Sequence, residues 1–82
     1  MPLKPLAELK SNESGVIREV KGGRGLKTRL EKMGLRNGQK ITKLSAQFWK
    51  GPVTVRTGRS KVAIGHGMAA KIMIEVENEG AQ

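Results

Sequence analysis

The chain contains no cysteine, no aspartate and no tyrosine, and only one histidine, His66. Without thiols there is neither a disulfide framework nor a thiolate metal site. An iron(II) or zinc site takes about three or four His, Cys or carboxylate ligands. His66 falls short of that set, and Met68 and Met73 are poor ligands for hard iron, so no tight metal site and no cofactor is expected. Catalysis would need a base, a nucleophile or paired carboxylates within reach. The glutamates lie in the flanks of the chain, away from the glycine turns of its middle, and no enzyme is expected. Aromatics are limited to Phe48 and Trp49. That leaves little for the stacking platforms of single-strand nucleic-acid binders or the aromatic grooves that take proline-rich peptides. No apolar run approaches the ~18 residues of a membrane span, and Met1–Pro5 has no apolar signal core. These absences suit a soluble, cytoplasmic domain.

Acidic residues are missing from the middle of the chain, and that gap places the charge. No Glu occurs between Glu31 and Glu75, an interval that holds nine basic residues: Lys32, Arg36, Lys40, Lys43, Lys50, Arg56, Arg59, Lys61 and Lys71. Outside it seven basic residues balance seven acidic ones, so the whole net charge of +9 sits in the centre. Such a field favours nucleic acid, anionic headgroups or an acidic protein surface.

What is present is enough for one small domain: 82 residues with 11 glycines, which suit short strands and tight turns. Leu26, Leu30 and Met33 recur at i, i+4 and i+7 and predict one face of a short helix, with Lys27, Thr28, Glu31 and Lys32 opposite. Gly34 supplies a left-handed helix ending, and Leu35 follows where a hydrophobic contact back to Leu30 is expected. Asn37-Gly38 signals a turn. Before this helix, Pro5–Leu9 predicts one helical turn and Gly15–Val20 a strand, bulged because Ile17 and Val20 break alternation. Lys21–Gly25 reads as a connection, since it lacks the Lys-Ser/Thr ending of a phosphate-binding loop. After the helix, Gln39–Phe48 reads as a strand with Ile41 and Leu44 apolar. Val53–Thr57 alternates with its valines on one face and Thr54 and Arg56 on the other. Gly58-Arg59-Ser60 is a hairpin connection to Val62 and Ile64. Gly65–Lys71 allows a single helical turn, and Ile72, Ile74 and Val76 form a last strand. The expected fold is mainly β: a small, partly open barrel of about five strands, with one short helix between the first two. The domain is expected to span residues 1–77, with a polar tail at 78–82.

Arg29-Leu30-Glu31-Lys32-Met33-Gly34-Leu35-Arg36-Asn37-Gly38 resembles the Arg-Leu-x-x-Met/Leu-Gly-Leu-x-Pro-Gly signature of the FeoA family of small accessory proteins in bacterial ferrous-iron transport. Gly51-Pro52-Val53, Val62-Ala63-Ile64 and Ala69-x-x-Ile72 also fit. Asn37 stands where the family usually has proline, and Asn-Gly makes the same kind of turn. The resemblance implies an SH3-like barrel and, as partner, the FeoB membrane transporter with its cytoplasmic GTP-binding domain. Within the signature, Leu30, Met33, Gly34, Leu35 and Gly38 read as scaffold, and Arg29 and Arg36 as contacts. Trp49 and Lys50, at an expected hairpin tip, and Arg56, on a basic strand, complete the candidate partner-binding residues, aromatics being enriched at interface hot spots. The alternative is a small basic barrel that tracks the phosphates of nucleic acid.

Overall fold

A computed structural model describes residues 3–45 and 51–77 of the chain. Among the described residues nine elements follow in order: β1 (Leu3–Pro5), a 3-10 turn (Leu6–Glu8), β2 (Ser14–Val20), α1 (Arg24–Lys32), β3 (Lys40–Ser45), β4 (Val53–Thr57), β5 (Ser60–Ile64), α2 (His66–Ala69) and β6 (Ile72–Val76). All strands belong to one antiparallel sheet with the order β1-β6-β2-β3-β4-β5. Among the described residues β1 and β5 are the two ends of that order, and the barrel is partly open between them.

The described residues form six strands where the sequence suggests about five, and α1 lies between the second and third of them. The extra strand is β1. Three residues with a proline at the end carry no alternation, and β1 exists through its pairing of Leu3, Lys4 and Pro5 with Glu75, Ile74 and Met73 of β6. Pro5 is tolerated because β1 is an edge strand, where a missing N–H breaks no inner ladder.

Alternation sets which side chains enter the core. Val53 and Val55 of β4, Ile72, Ile74 and Val76 of β6, and Ile17, Ile41 and Ile64 of the other strands are all buried. The bulge expected in the first long strand falls between Ile17 and Glu19, where the β2–β6 register shifts. Gly15 is buried where β2 meets β6, and a Cβ there would lie 2.5 Å from the Glu75 carbonyl oxygen. β3 departs from expectation: Leu44 is half-buried, and the inward position beside Ile41 is taken by Lys43.

α1 closes the barrel from one side. Leu30 is fully buried, Leu26 and Met33 pack half-buried against the core, and Lys27, Thr28, Glu31 and Lys32 are exposed. The helix ends in a Schellman motif. Gly34, at φ +88°, donates to the Glu31 carbonyl at 3.0 Å, and Leu35 donates to the Leu30 carbonyl at 2.9 Å. Leu30 and Leu35 are both in the core, so the same bond that caps the helix seats its last turn. Arg36–Gln39 is a β-turn closed by Gln39 N–H to the Arg36 carbonyl at 3.0 Å, with Gly38 at φ +87°. Positive φ at the third residue is the type II arrangement, whose second position, here Asn37, also suits proline.

Candidate functional site: a basic interaction surface

The described residues of the acid-free interval fall in the α1 C-terminus, β3, the β4–β5 hairpin, the α2 turn and the start of β6. Its first consequence is internal. Lys43 is 4% exposed, and its ammonium donates to the carbonyls of Leu9 at 2.5 Å and Ala7 at 3.2 Å. Burial lowers the Lys43 pKa from its ordinary value, and the nearby Glu13 opposes part of that shift. This lysine, counted with the basic field in the sequence, is a clasp between β3 and the N-terminal turn. Glu13 completes the clasp: its carboxylate accepts the Lys10 N–H at 2.8 Å and pairs with Lys4 at 3.2 Å. Those contacts, the Lys10 N–H foremost, hold the Glu13 carboxyl below its ordinary value although partial desolvation acts the other way.

Two further carboxylates are engaged on the outer face of the sheet. Glu75 pairs with Arg18, and Glu77 with Lys40 at 3.4 Å. The β6–β2 side of that face is therefore neutralised. The β4–β5 side is not. Arg56 and Lys61 are direct cross-strand partners on β4 and β5, both exposed, and Arg59 lies in the two-residue turn that joins the strands. Like charges placed opposite each other in a ladder repel, and none of the three has an ion-pair partner among the described residues.

Arg36 approaches the same end of the barrel. Thr57, the last residue of β4, is buried, and its hydroxyl lies 3.5 Å from the Gly34 carbonyl, towards which it donates. Gly34, just past the α1 C-cap, and Thr57, at the foot of the hairpin turn, are thereby brought together, with Arg36 two residues beyond Gly34 and Arg59 two residues beyond Thr57. Arg29 is exposed in the last turn of α1, where a cation also complements the helix dipole. Arg29, Arg36 and Arg56 are all exposed. Trp49 and Lys50 lie outside the described residues.

Sequence reasoning does not single out Arg59 and Lys61: it takes Gly58-Arg59-Ser60 as the connection, whereas Ser60 is the first residue of β5 and the turn is Gly58-Arg59. A two-residue turn at Gly58-Arg59 sets Thr57 opposite Ser60 and so Arg56 opposite Lys61. His66 opens α2 and is half-buried, and no group of three His, Cys, Asp or Glu residues is placed to hold a metal ion among the described residues. No described helix is long and apolar enough to cross a membrane.

Comparison with known proteins agrees with this architecture. Residues 4–76 match the FeoA domain family. A Methanocaldococcus jannaschii protein, provisionally named Fe(2+) transport protein A, is 37% identical over 78 residues, covering 95% of this chain and 93% of the relative. The crystal structure of an iron uptake regulatory protein, FeoA, superposes with a TM-score of 0.85 at 28% identity, covering 94% of this chain and 100% of the other. Stenotrophomonas maltophilia FeoA complexed with zinc, described as an SH3 domain protein, superposes with a TM-score of 0.73 at 20% identity, over 87% and 88% of the two chains. With its SH3-like barrel, its signature helix ending and a family match over nearly its whole length, the chain belongs to the FeoA family.

Proposed function

We propose that this chain is a non-catalytic, cytoplasmic accessory protein of ferrous-iron uptake that docks on the cytoplasmic part of a FeoB-type transporter. Family membership supports the pathway. The observation that carries the docking mode is the set of exposed cations Arg36, Arg56, Arg59 and Lys61, without acidic partners among the described residues. A rim of this kind accelerates and orients encounter with an acidic surface, while the buried Leu30 and Leu35 hold the helix end beneath it. Trp49, Lys50 and Arg29 belong to the same reading as contact residues.

The test is titration of the chain against the transporter's isolated cytoplasmic region at several salt concentrations. Binding is expected to weaken with salt, and Arg36→Glu with Arg56→Glu is expected to slow association about tenfold or more. Trp49→Ala is expected to speed dissociation. Unchanged binding by these folded variants would remove the proposal. Retention on a mixed nucleic-acid pool at physiological salt, with a steep salt slope, would favour the phosphate-tracking alternative instead.

A further inference from the structure

The hydrogen bonds of the sheet determine which backbone groups of β5 remain available. Ile17 donates to the Gln39 carbonyl at 3.0 Å and Lys43 donates to the Glu13 carbonyl at 2.9 Å, so Glu13 and Ile17 aim their hydrogen-bonding groups at β3. Ser14 and Thr42 are then a non-hydrogen-bonded pair, with side chains close enough for their hydroxyls to bond at 2.7 Å. By alternation Thr42 bonds Arg56, and Arg56 and Lys61 form the next non-hydrogen-bonded pair. The two-residue turn gives the same parity independently, because its closing pair, Thr57 and Ser60, is the bonded one. The N–H and C=O groups of Lys61 and Ala63 therefore point away from β4. Among the described residues β5 is the last strand of the sheet, and these groups have no hydrogen-bond partner. Lys61 and Ala63 are both exposed.

We infer that the outer edge of β5 is a binding site for an extended acidic peptide segment, which adds to the sheet as a further strand. Alternating donors and acceptors select a peptide backbone, since a phosphate chain offers acceptors alone and would meet the Lys61 and Ala63 carbonyls with like partial charge. Charge selects the peptide's character. A carboxylate opposite Lys61 enters the same cross-strand row as Arg56, where two cations otherwise repel. The next outward position faces the small Ala63, and the residues between face the half-buried Val62, which favours apolar side chains there. A second copy of this chain fits less well, because its own β5 would bring Lys61 and Arg59 against the same cations. Any protein that carries such a segment, the transporter or another, could supply the strand.

Acetyl-Val-Glu-Val-Glu-Val-amide, titrated into the isotopically labelled full chain, tests it. The expected result is slower hydrogen exchange at the Lys61 and Ala63 amides, by about tenfold or more at saturation. N-methylation of the peptide's glutamate amides, which face β5, should abolish binding, and N-methylation of its valine amides should preserve it. A peptide with lysine in place of glutamate should not bind. Ala63→Pro removes one edge donor at a position where an edge strand tolerates proline, and a folded variant should lose binding about tenfold or more. Shifts at Arg56, Arg59 and Lys61 without exchange protection, equal binding of the glutamate-methylated peptide, or no binding at millimolar concentration would each overturn the inference.

Discussion

The Lys43 ammonium donates to the Leu9 carbonyl at 2.5 Å and so joins an inward position of β3 to the end of the N-terminal turn. Backbone bonds reinforce the junction: Asn12 N–H reaches the Lys43 carbonyl at 2.6 Å, and Lys43 N–H reaches the Glu13 carbonyl at 2.9 Å. Replacing Lys43 by Met keeps the aliphatic stem but leaves the Ala7 and Leu9 carbonyls without their donor. The variant is expected to lose about 1–3 kcal/mol of stability, measured by urea denaturation. Exchange at residues 6–12 should rise more than exchange in β4. A variant as stable as the parent would show that water replaces the ammonium at no cost.

The same lysine carries a signed pH dependence. Its folded-state pKa lies below the ordinary 10.5 because burial disfavours the charged form. Between those two values the unfolded chain binds more protons than the folded one, so this group's contribution to stability increases as pH rises through that window. The stability gap between the parent and Lys43→Met is therefore expected to widen from neutral pH towards 10.5. A constant gap over that range would contradict the assignment.

Glu13 gives the opposite end of the scale. Its folded-state pKa lies below the ordinary 4.5, held there by the Lys10 N–H and Lys4. Its stabilising contribution is complete above the unfolded value and is lost as pH falls through the lower folded value. The gap between the parent and Glu13→Gln should be flat from neutral pH down to about 4.5 and shrink below it. Denaturation at several pH values between neutral and about 3 checks this.

Local signals were legible in the sequence and remote ones were not. The ending of α1, the β4–β5 hairpin and the alternation of β6 each depend on residues a few positions apart, and each appears where its pattern lies. β1 depends on β6, about as far away as the chain allows, and has no pattern of its own. Lys43 was misplaced for a related reason: a charged side chain enters the core only when carbonyls meet it, and these come from 36 and 34 positions upstream. For the candidate surface, Arg56 was legible from alternation alone. The Lys61 edge was legible only in part: the turn beside it sets its bonding parity, but the place of β5 at the end of the described sheet follows from the strand order, which no local pattern carries.

Gly34 tests the reading of the signature as scaffold. Its φ of +88° is one that L side chains avoid, yet a Cβ there meets nothing within 4 Å. Strain without clash predicts a graded result. Gly34→Ala should cost about 1–2 kcal/mol, and Gly34→Asn clearly less, because Asn tolerates left-handed backbone. Equal losses from both substitutions, compared by thermal denaturation, would mean that something other than backbone conformation sets the cost.

Gly15 and Gly25 make the complementary comparison, in which space and not φ decides. Neither has a φ in the left-handed region. At Gly15 a Cβ would press on the Ile74 side chain and lie 2.5 Å from the Glu75 carbonyl oxygen, which is backbone and held in the β2–β6 ladder. Gly15→Ala therefore forces two central strands apart and is expected to cost about 1–3 kcal/mol. At Gly25, within α1, a Cβ meets nothing within 4 Å, so Ala brings only its better helix propensity. Gly25→Ala should raise stability by about 0.5–1 kcal/mol. Because the sites share no contact, the double variant should show the sum of the two effects. A Gly15→Ala protein as stable as the parent would mean that the β2–β6 approach is looser than the structure places it, while a destabilised Gly25→Ala protein would refute the open surface assigned to the first turn of α1.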